Sequence, residues 1–232
     1  MATAAKQEMI VPVITHSFGW RDKESQKSLQ VLFDQYLAEE ADTNAAKYKD
    51  HHEISFHFLD QKGLRLDSPA WDRYFTAIND YTSPCPVVLV FAGDNDICDK
   101  DHNLMKDGDT VFFMVKDRML DILHKCPEVK QVYWSCLFAR GPNPAYGEYN
   151  RQAADFNDNA KEHNKTVYGK NRNSLQFMSV DSELVPKHDK KEDRLLFTTE
   201  HLLKDNVHPN PKHSLYQKVF LVSQAPDISG CV

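Results

Sequence analysis

A carboxylate and an imidazole lie three residues apart near the C-terminus, where they could act as an acid–base pair. They are Asp205 and His208. One imidazole nitrogen can accept a proton from a nucleophile, while a carboxylate on the other nitrogen sets the tautomer and stabilises the imidazolium. Because the chain has 11 histidines, this spacing alone is weak evidence. The pair also fits two surface residues before a helix whose start Pro209 and Pro211 would favour.

A hydroxyl and a side-chain amide closely follow two strand-like apolar runs. Ser17 comes after the run at residues 9–15, and Asn95 comes after the run at residues 87–91, within Gly-Asp-Asn-Asp. A serine at a strand-to-helix turn can present an exposed hydroxyl, and the helix N-terminus favours developing negative charge. The Asn95 amide can donate a hydrogen bond to an oxyanion without carrying charge.

Gly63 follows a third predicted strand, in a loop at residues 60–69. A glycine there lets a backbone N–H approach a ligand closely. Each of these residues also has an ordinary explanation, as a helix cap for Ser17, a turn glycine for Gly63 and an Asn/Asp-rich turn for Asn95. Their order along the chain and their positions after strands favour a common site.

The elements that must position these residues alternate between strand and helix. Strands are predicted at residues 9–15, 53–59, 87–91, 129–137 and 175–180. Helices are predicted at residues 23–40, 69–80, 109–125, 149–163 and 211–222, with an exposed mixed-charge connection at 186–194. The alternation predicts a three-layer α/β/α sandwich with a mainly parallel five-stranded sheet. In such sheets ligands bind beyond the carboxyl ends of the strands, where Ser17, Gly63, Asn95 and Arg140 all fall.

Composition limits the classes of protein that remain. The 232 residues suit a single domain over residues 1–232, and 41% hydrophobic residues allow a packed core. A net charge of −6 without a basic cluster argues against a nucleic-acid partner. We expect a cytoplasmic protein with free thiols, because there is no signal peptide, no membrane-spanning run and an odd count of five cysteines. No motif for a metal or a cofactor is present.

Taken together, Ser17, Gly63, Asn95 and His208 resemble the SGNH (GDSL-like) hydrolase superfamily, whose hallmark residues are a serine, a glycine, an asparagine and a histidine. The resemblance spans nearly the whole chain, and its third and last blocks are the most specific. It implies that Ser17 attacks an ester carbonyl and that His208, oriented by Asp205, takes the serine proton. It also implies an oxyanion hole made by the N–H groups of Ser17 and Gly63 and the side chain of Asn95.

The first block departs from the usual Gly-Asp-Ser, because the chain has Thr15-His16-Ser17. The tripeptide His-Ser-Phe resembles the first block of divergent SGNH domains of eukaryotic genomes, including some associated with retroelements.

Two hypotheses for the function follow. The first is a serine esterase for an acyl or acetyl ester of a small or carbohydrate-like alcohol. The second is a catalytically silent SGNH-like domain that binds a ligand or partner in a mobile-element-derived system. A flavodoxin-like or nucleotide-binding protein would share the strand–helix rhythm, but the chain lacks a phosphate loop and such a role leaves Asp205 and His208 unexplained. The expected partner is a small ester, and the sequence does not fix the oligomeric state.

Overall fold

Five parallel strands form the central sheet of the protein. The computed structural model describes residues 7–16, 52–81, 86–141, 143–167, 175–189, 191–200, 202–208 and 210. The strands of the sheet are β1 (Gln7–Thr15), β2 (His52–Asp60), β3 (Val87–Phe91), β4 (Gln131–Ser135) and β5 (Leu175–Met178). Their order is β2-β1-β3-β4-β5. β2 therefore lies on one side of β1, and β3, β4 and β5 lie on the other. The strand order reverses between β1 and β3, and open α/β sheets bind ligands at such a switch point.

Helices connect the strands and cover the sheet. They are α1 (Ala70–Asn79), the single turn α2 (Asp94–Ile97), α3 (Gly108–Lys125) and α4 (Gly147–Val167), which a 3-10 turn (Pro144–Tyr146) precedes. Two short antiparallel strands, β6 (Lys187–Asp189) and β7 (Arg194–Leu196), form a separate hairpin. No helix in the described part of the chain is long and apolar enough to cross a membrane.

Helix α1 shows how the sequence pattern determines the packing. Trp71, Tyr74, Phe75 and Ile78 recur at helical spacing, and all four are buried. The Trp71 ring stacks on Trp134 of β4, with 5.8 Å between the ring centroids. This contact packs the helix against β4 of the sheet.

Both faces of the sheet are covered. Every residue of β3 is buried, although successive side chains point to opposite faces. A strand that is apolar and buried throughout is typical of a parallel sheet between two layers. The predicted α/β fold class is thus confirmed, with a five-stranded parallel sheet flanked by helices.

The strand predictions are confirmed, as are the predicted helices within the described residues, with small shifts at their ends. The predicted helices at residues 23–40 and 211–222 lie outside those residues. The mixed-charge connection predicted at 186–194 is wrong, because part of it forms the hairpin of β6 and β7. That hairpin has three-residue strands without an apolar alternation, so no periodic signal marked it.

Candidate active site

The carboxyl ends of three neighbouring strands are joined by backbone hydrogen bonds. Beyond the end of β1, the N–H of His16 donates to the carbonyl of Phe91 in β3 at 3.3 Å. On the other side, the N–H of Gln61 donates to the carbonyl of Thr15 at 3.0 Å. The loops after β1, β2 and β3 therefore leave the sheet side by side.

Two of the predicted oxyanion donors, Gly63 and Asn95, belong to segments that contact each other, the loop after β2 and the single turn α2. The side-chain amide of Asn95 donates to the carbonyl of Leu64, the residue after Gly63, at 3.1 Å. An amide group has two N–H bonds, so Asn95 can make this contact and still donate once more. Gly63 has a φ of 70°, which glycine adopts without strain, and a Cβ placed there would meet no atom within 4 Å.

Asp96 anchors the loop that contains Gly63. Its carboxylate accepts the backbone N–H of Leu66, with distances of 3.0 and 3.2 Å to the two oxygens. Burial raises the pKa of Asp96 to about 6, although the Leu66 hydrogen bond and the charge of Arg65 act to lower it. Asp96 and Asn95 thus hold the loop after β2 from two neighbouring positions.

Asp205 and His208 form a hydrogen-bonded pair. The ring nitrogen Nδ1 of His208 lies 2.7 Å from an Asp205 oxygen, and the other oxygen accepts the N–H groups of Val207 and His208 at 3.0 Å. Burial acts to raise the pKa of Asp205, but these hydrogen bonds outweigh it and lower the pKa. The imidazole is therefore held at Nδ1 by an ionised carboxylate, as in a serine hydrolase triad.

The loop that carries this pair is attached to the loop after β4. The N–H of Gly141 donates to the carbonyl of Asn206 at 2.7 Å, and the N–H of Leu203 donates to the carbonyl of His208 at 2.8 Å. A Cβ on Gly141 would lie only 2.5 Å from the Asn206 side chain. The close approach that glycine allows here holds the loop of Asp205 and His208 against the loop after β4.

A buried polar network begins at His16, the residue that precedes Ser17 in the sequence. His16, the residue before Ser17, places Nε2 at 2.8 Å from one oxygen of Asp94. The other Asp94 oxygen accepts the hydroxyl of Tyr149 at 2.5 Å, and the Arg140 guanidinium stacks on the Tyr149 ring at 3.8 Å. All four residues are buried. The network links the end of β1 to the loops after β3 and β4 and to helix α4.

The charges of this network determine its protonation. Burial would raise the pKa of Asp94, but the hydrogen bonds from His16 and Tyr149 and the charge of Arg140 lower it overall. The same burial, together with the charge of Asp94, raises the pKa of Tyr149 well above its usual value. Asp94 is therefore an anion and Tyr149 a neutral hydrogen-bond donor at neutral pH.

The structure brings the predicted residues together in two groups. Gly63 and Asn95 form one group, and Asp205 and His208 form the other. Ser17 lies outside the described residues, so its place relative to both groups stays a prediction. No group of three or more histidine, cysteine or carboxylate residues within the described ranges could hold a metal ion.

The sequence pattern did not identify His16 and Tyr149 as members of the buried network around Asp94. A histidine at the end of an apolar strand was a signal for a buried and paired side chain, because burying an imidazole without a partner is costly. Tyr149 gave no such signal, since an aromatic residue in a helix is explained by the core alone.

The protein shares its fold with solved hydrolase structures at low sequence identity. A mutant of Axe2, an acetyl-xylooligosaccharide esterase from Geobacillus stearmophilus, aligns at a TM-score of 0.55 with 14% identity, covering 98% of each chain. LAE5, an alpha/beta hydrolase enzyme from the metagenome of Lake Arreo, Spain, aligns at 0.51 with 15% identity, covering 98% of this chain and 97% of that one. A member of the lipolytic protein G-D-S-L family from Veillonella parvula aligns at 0.50 with 11% identity, covering 93% and 95%.

These likenesses show that the chain has the fold of esterases and GDSL-like hydrolases over nearly its whole length. No protein-family model matches the sequence, and no curated protein matches it.

Proposed function

We propose that the protein is an SGNH-type serine esterase that cleaves a small acyl ester. The observation that carries this proposal is the hydrogen bond from Nδ1 of His208 to Asp205. It gives a tautomer in which the opposite nitrogen, Nε2, can accept a proton, as a general base requires. The fold and the contact between the Gly63 and Asn95 loops support the same function.

The proposed reaction has two halves. In the first, the Ser17 hydroxyl attacks the ester carbonyl while its proton passes to Nε2 of His208. The oxygen of the tetrahedral intermediate accepts hydrogen bonds from the N–H groups of Ser17 and Gly63 and from the Asn95 amide. The intermediate then collapses to an acyl-serine, and the leaving alcohol takes the proton back from His208.

In the second half, His208 removes a proton from water as the water attacks the acyl-serine. The carboxylic acid leaves, and the proton returns to Ser17. Asp205 stays ionised and stabilises the imidazolium that forms in both halves. The substrate class we propose is an acetyl or similarly short acyl ester of a small or carbohydrate-like alcohol, with no metal or cofactor in the reaction.

Labelling with a fluorophosphonate tests this proposal, because such probes phosphonylate activated serine hydroxyls. We expect the wild type to be labelled and Ser17→Ala to remain unlabelled. Ser182→Ala is the matched control, since Ser182 also follows a strand but its hydroxyl accepts the N–H of Leu184. Labelling that persists in Ser17→Ala would exclude Ser17 as the nucleophile, and an unlabelled wild type would favour a silent binding domain.

A further inference from the structure

Arg140 is a buried cation whose side-chain donors make no hydrogen bond to the described residues. The residue is only 4% exposed, and its guanidinium carbon lies 3.8 Å from the centre of the Tyr149 ring. Its Nε is buried without a partner, and the guanidinium donates no hydrogen bond to any residue within the described ranges. Burying a charged group without hydrogen bonds is costly, so a fold retains one where it serves a ligand or balances a charge.

Stacking on an aromatic ring does not explain the unused donors. Arg118 also stacks, at 5.1 Å from the Trp71 ring, but it donates to the carbonyl of Leu66 at 2.6 Å and to Asp121 at 2.9 Å. A stacked guanidinium in this protein can therefore still donate hydrogen bonds within the fold, whereas that of Arg140 donates none to the residues that the structure describes.

Charge balance explains only part of the arrangement. The positive charge of Arg140 lowers the pKa of Asp94, so the two groups stabilise each other electrostatically. The Asp94 oxygens, however, are hydrogen-bonded to His16 and Tyr149. Asp94 therefore accounts for the presence of a cation but not for the buried Nε–H that the cation leaves unpaired.

The position of Arg140 connects it to both groups of proposed catalytic residues. The N–H of the next residue, Gly141, donates a hydrogen bond to the carbonyl of Asn206, which lies between Asp205 and His208. The guanidinium also stacks on the ring of Tyr149, whose hydroxyl donates a hydrogen bond to Asp94, the neighbour of Asn95. Arg140 is therefore linked to each of the two groups through a residue next to it in sequence or in space.

We propose that Arg140 binds a carboxylate group of the ester substrate, which makes the protein selective for acidic esters. This inference rests on the proposed esterase function and specifies its substrate class. The planar guanidinium matches the two oxygens of a carboxylate. A single cation with Asp94 nearby suits a monoanion better than a phosphate dianion, because Asp94 already supplies one negative charge to the same network.

Two matched ester pairs test the selectivity. The pair 4-acetoxybenzoate and 4-acetoxybenzamide places the charge on the alcohol side, and mono-4-nitrophenyl succinate and 4-nitrophenyl butyrate place it on the acyl side. The quantity to compare is kcat/KM for the acidic ester divided by kcat/KM for the neutral ester of the same pair. In Arg140→Gln, we expect this ratio to fall about tenfold or more in at least one pair, because hydrogen bonds to a charged group are lost. Arg118→Gln, which removes the same charge elsewhere, should keep the wild-type ratios.

Arg140→Lys provides a second variant in case Arg140→Gln fails to fold, with far-UV circular dichroism as the check. Lysine keeps the charge but not the planar fork, so we expect its ratio to lie between those of the wild type and the glutamine variant. Wild-type ratios for both pairs in a folded Arg140 variant would overturn the proposal.

A binding measurement separates this inference from the proposed function. Benzoate should raise the Tm of the wild type and of Ser17→Ala more than benzamide does, and that difference should vanish in Arg140→Gln. If the wild type hydrolyses no ester but shows this benzoate effect, the esterase function fails and the carboxylate site stands. If it hydrolyses esters but benzoate and benzamide act alike on every variant, the carboxylate site fails and the esterase stands.

Discussion

Asp96→Asn removes one buried charge and keeps the size of the side chain. The Asp96 side chain is 0% exposed and accepts the N–H of Leu66, a contact that an asparagine oxygen can also accept. Burial raises the pKa of Asp96 to about 6, above the usual aspartate pKa of 3.8. The native protein therefore holds the Asp96 proton more tightly than the unfolded chain does.

The direction of the pH effect follows from that difference. A raised native pKa adds stability that is complete below pH 3.8 and is lost as the pH rises through about 6. The difference between the two pKa values corresponds to at most roughly 3 kcal/mol in the free energy of unfolding. Asparagine cannot ionise, so Asp96→Asn should gain up to roughly 3 kcal/mol over the wild type between pH 4 and pH 7.5.

Urea unfolding at pH 4 and pH 7.5 measures this effect. The quantity to compare is the free energy of unfolding of Asp96→Asn minus that of the wild type at each pH. Asp96→Ala serves as the control for the hydrogen bond, because it removes the charge and also leaves the buried Leu66 N–H without its acceptor. A difference between asparagine and wild type that is equal at the two pH values would refute the reasoning.

Three further substitutions have expected outcomes. Asp94→Asn should show the opposite pH dependence from Asp96→Asn. The lowered pKa of Asp94 gives stability that is present above pH 3.8 and is lost as the pH falls through the native pKa; urea unfolding at pH 7.5 and at a pH well below 3.8 checks this. Asn95→Ala should cost about 2.7–4 kcal/mol in transition-state stabilisation, measured as kcat/KM on 4-nitrophenyl acetate, with a small fall in Tm because the hydrogen bond to the Leu64 carbonyl is lost as well. Gly141→Ala should lower the free energy of unfolding by about 1–3 kcal/mol, because its Cβ would meet the Asn206 side chain at 2.5 Å. Gly147→Ala, whose Cβ would meet nothing within 4 Å, is its control.

The sheet could be predicted from the sequence because parallel strands buried on both faces are short apolar runs. The run at Val87–Phe91 is such a case, and the structure has the same bounds for β3. The order of the strands could not be derived this way, since register and neighbours depend on long-range contacts. The hairpin at residues 187–196 escaped prediction because its strands are too short and polar to show a period.

The candidate site was predictable where its residues are close in sequence. Asp205 and His208 are three residues apart, so one turn suffices to pair them, and the structure shows that pair. The network of His16, Asp94 and Tyr149 was not predictable, because 78 residues separate the first two and 55 separate the last two. Only the fold brings such residues together, so the sequence could indicate that His16 is paired but not that Asp94 is its partner.

The hydrolysis of 4-nitrophenyl acetate by wild type, Ser17→Ala, His208→Ala and the double variant tests the central claim most directly. If Ser17 and His208 serve one proton transfer, each single substitution should lower kcat by about a thousandfold or more, and the double variant should be no slower than the singles. Losses that add in the double variant, or a His208→Ala rate equal to that of the wild type, would contradict a catalytic unit of Ser17, His208 and Asp205.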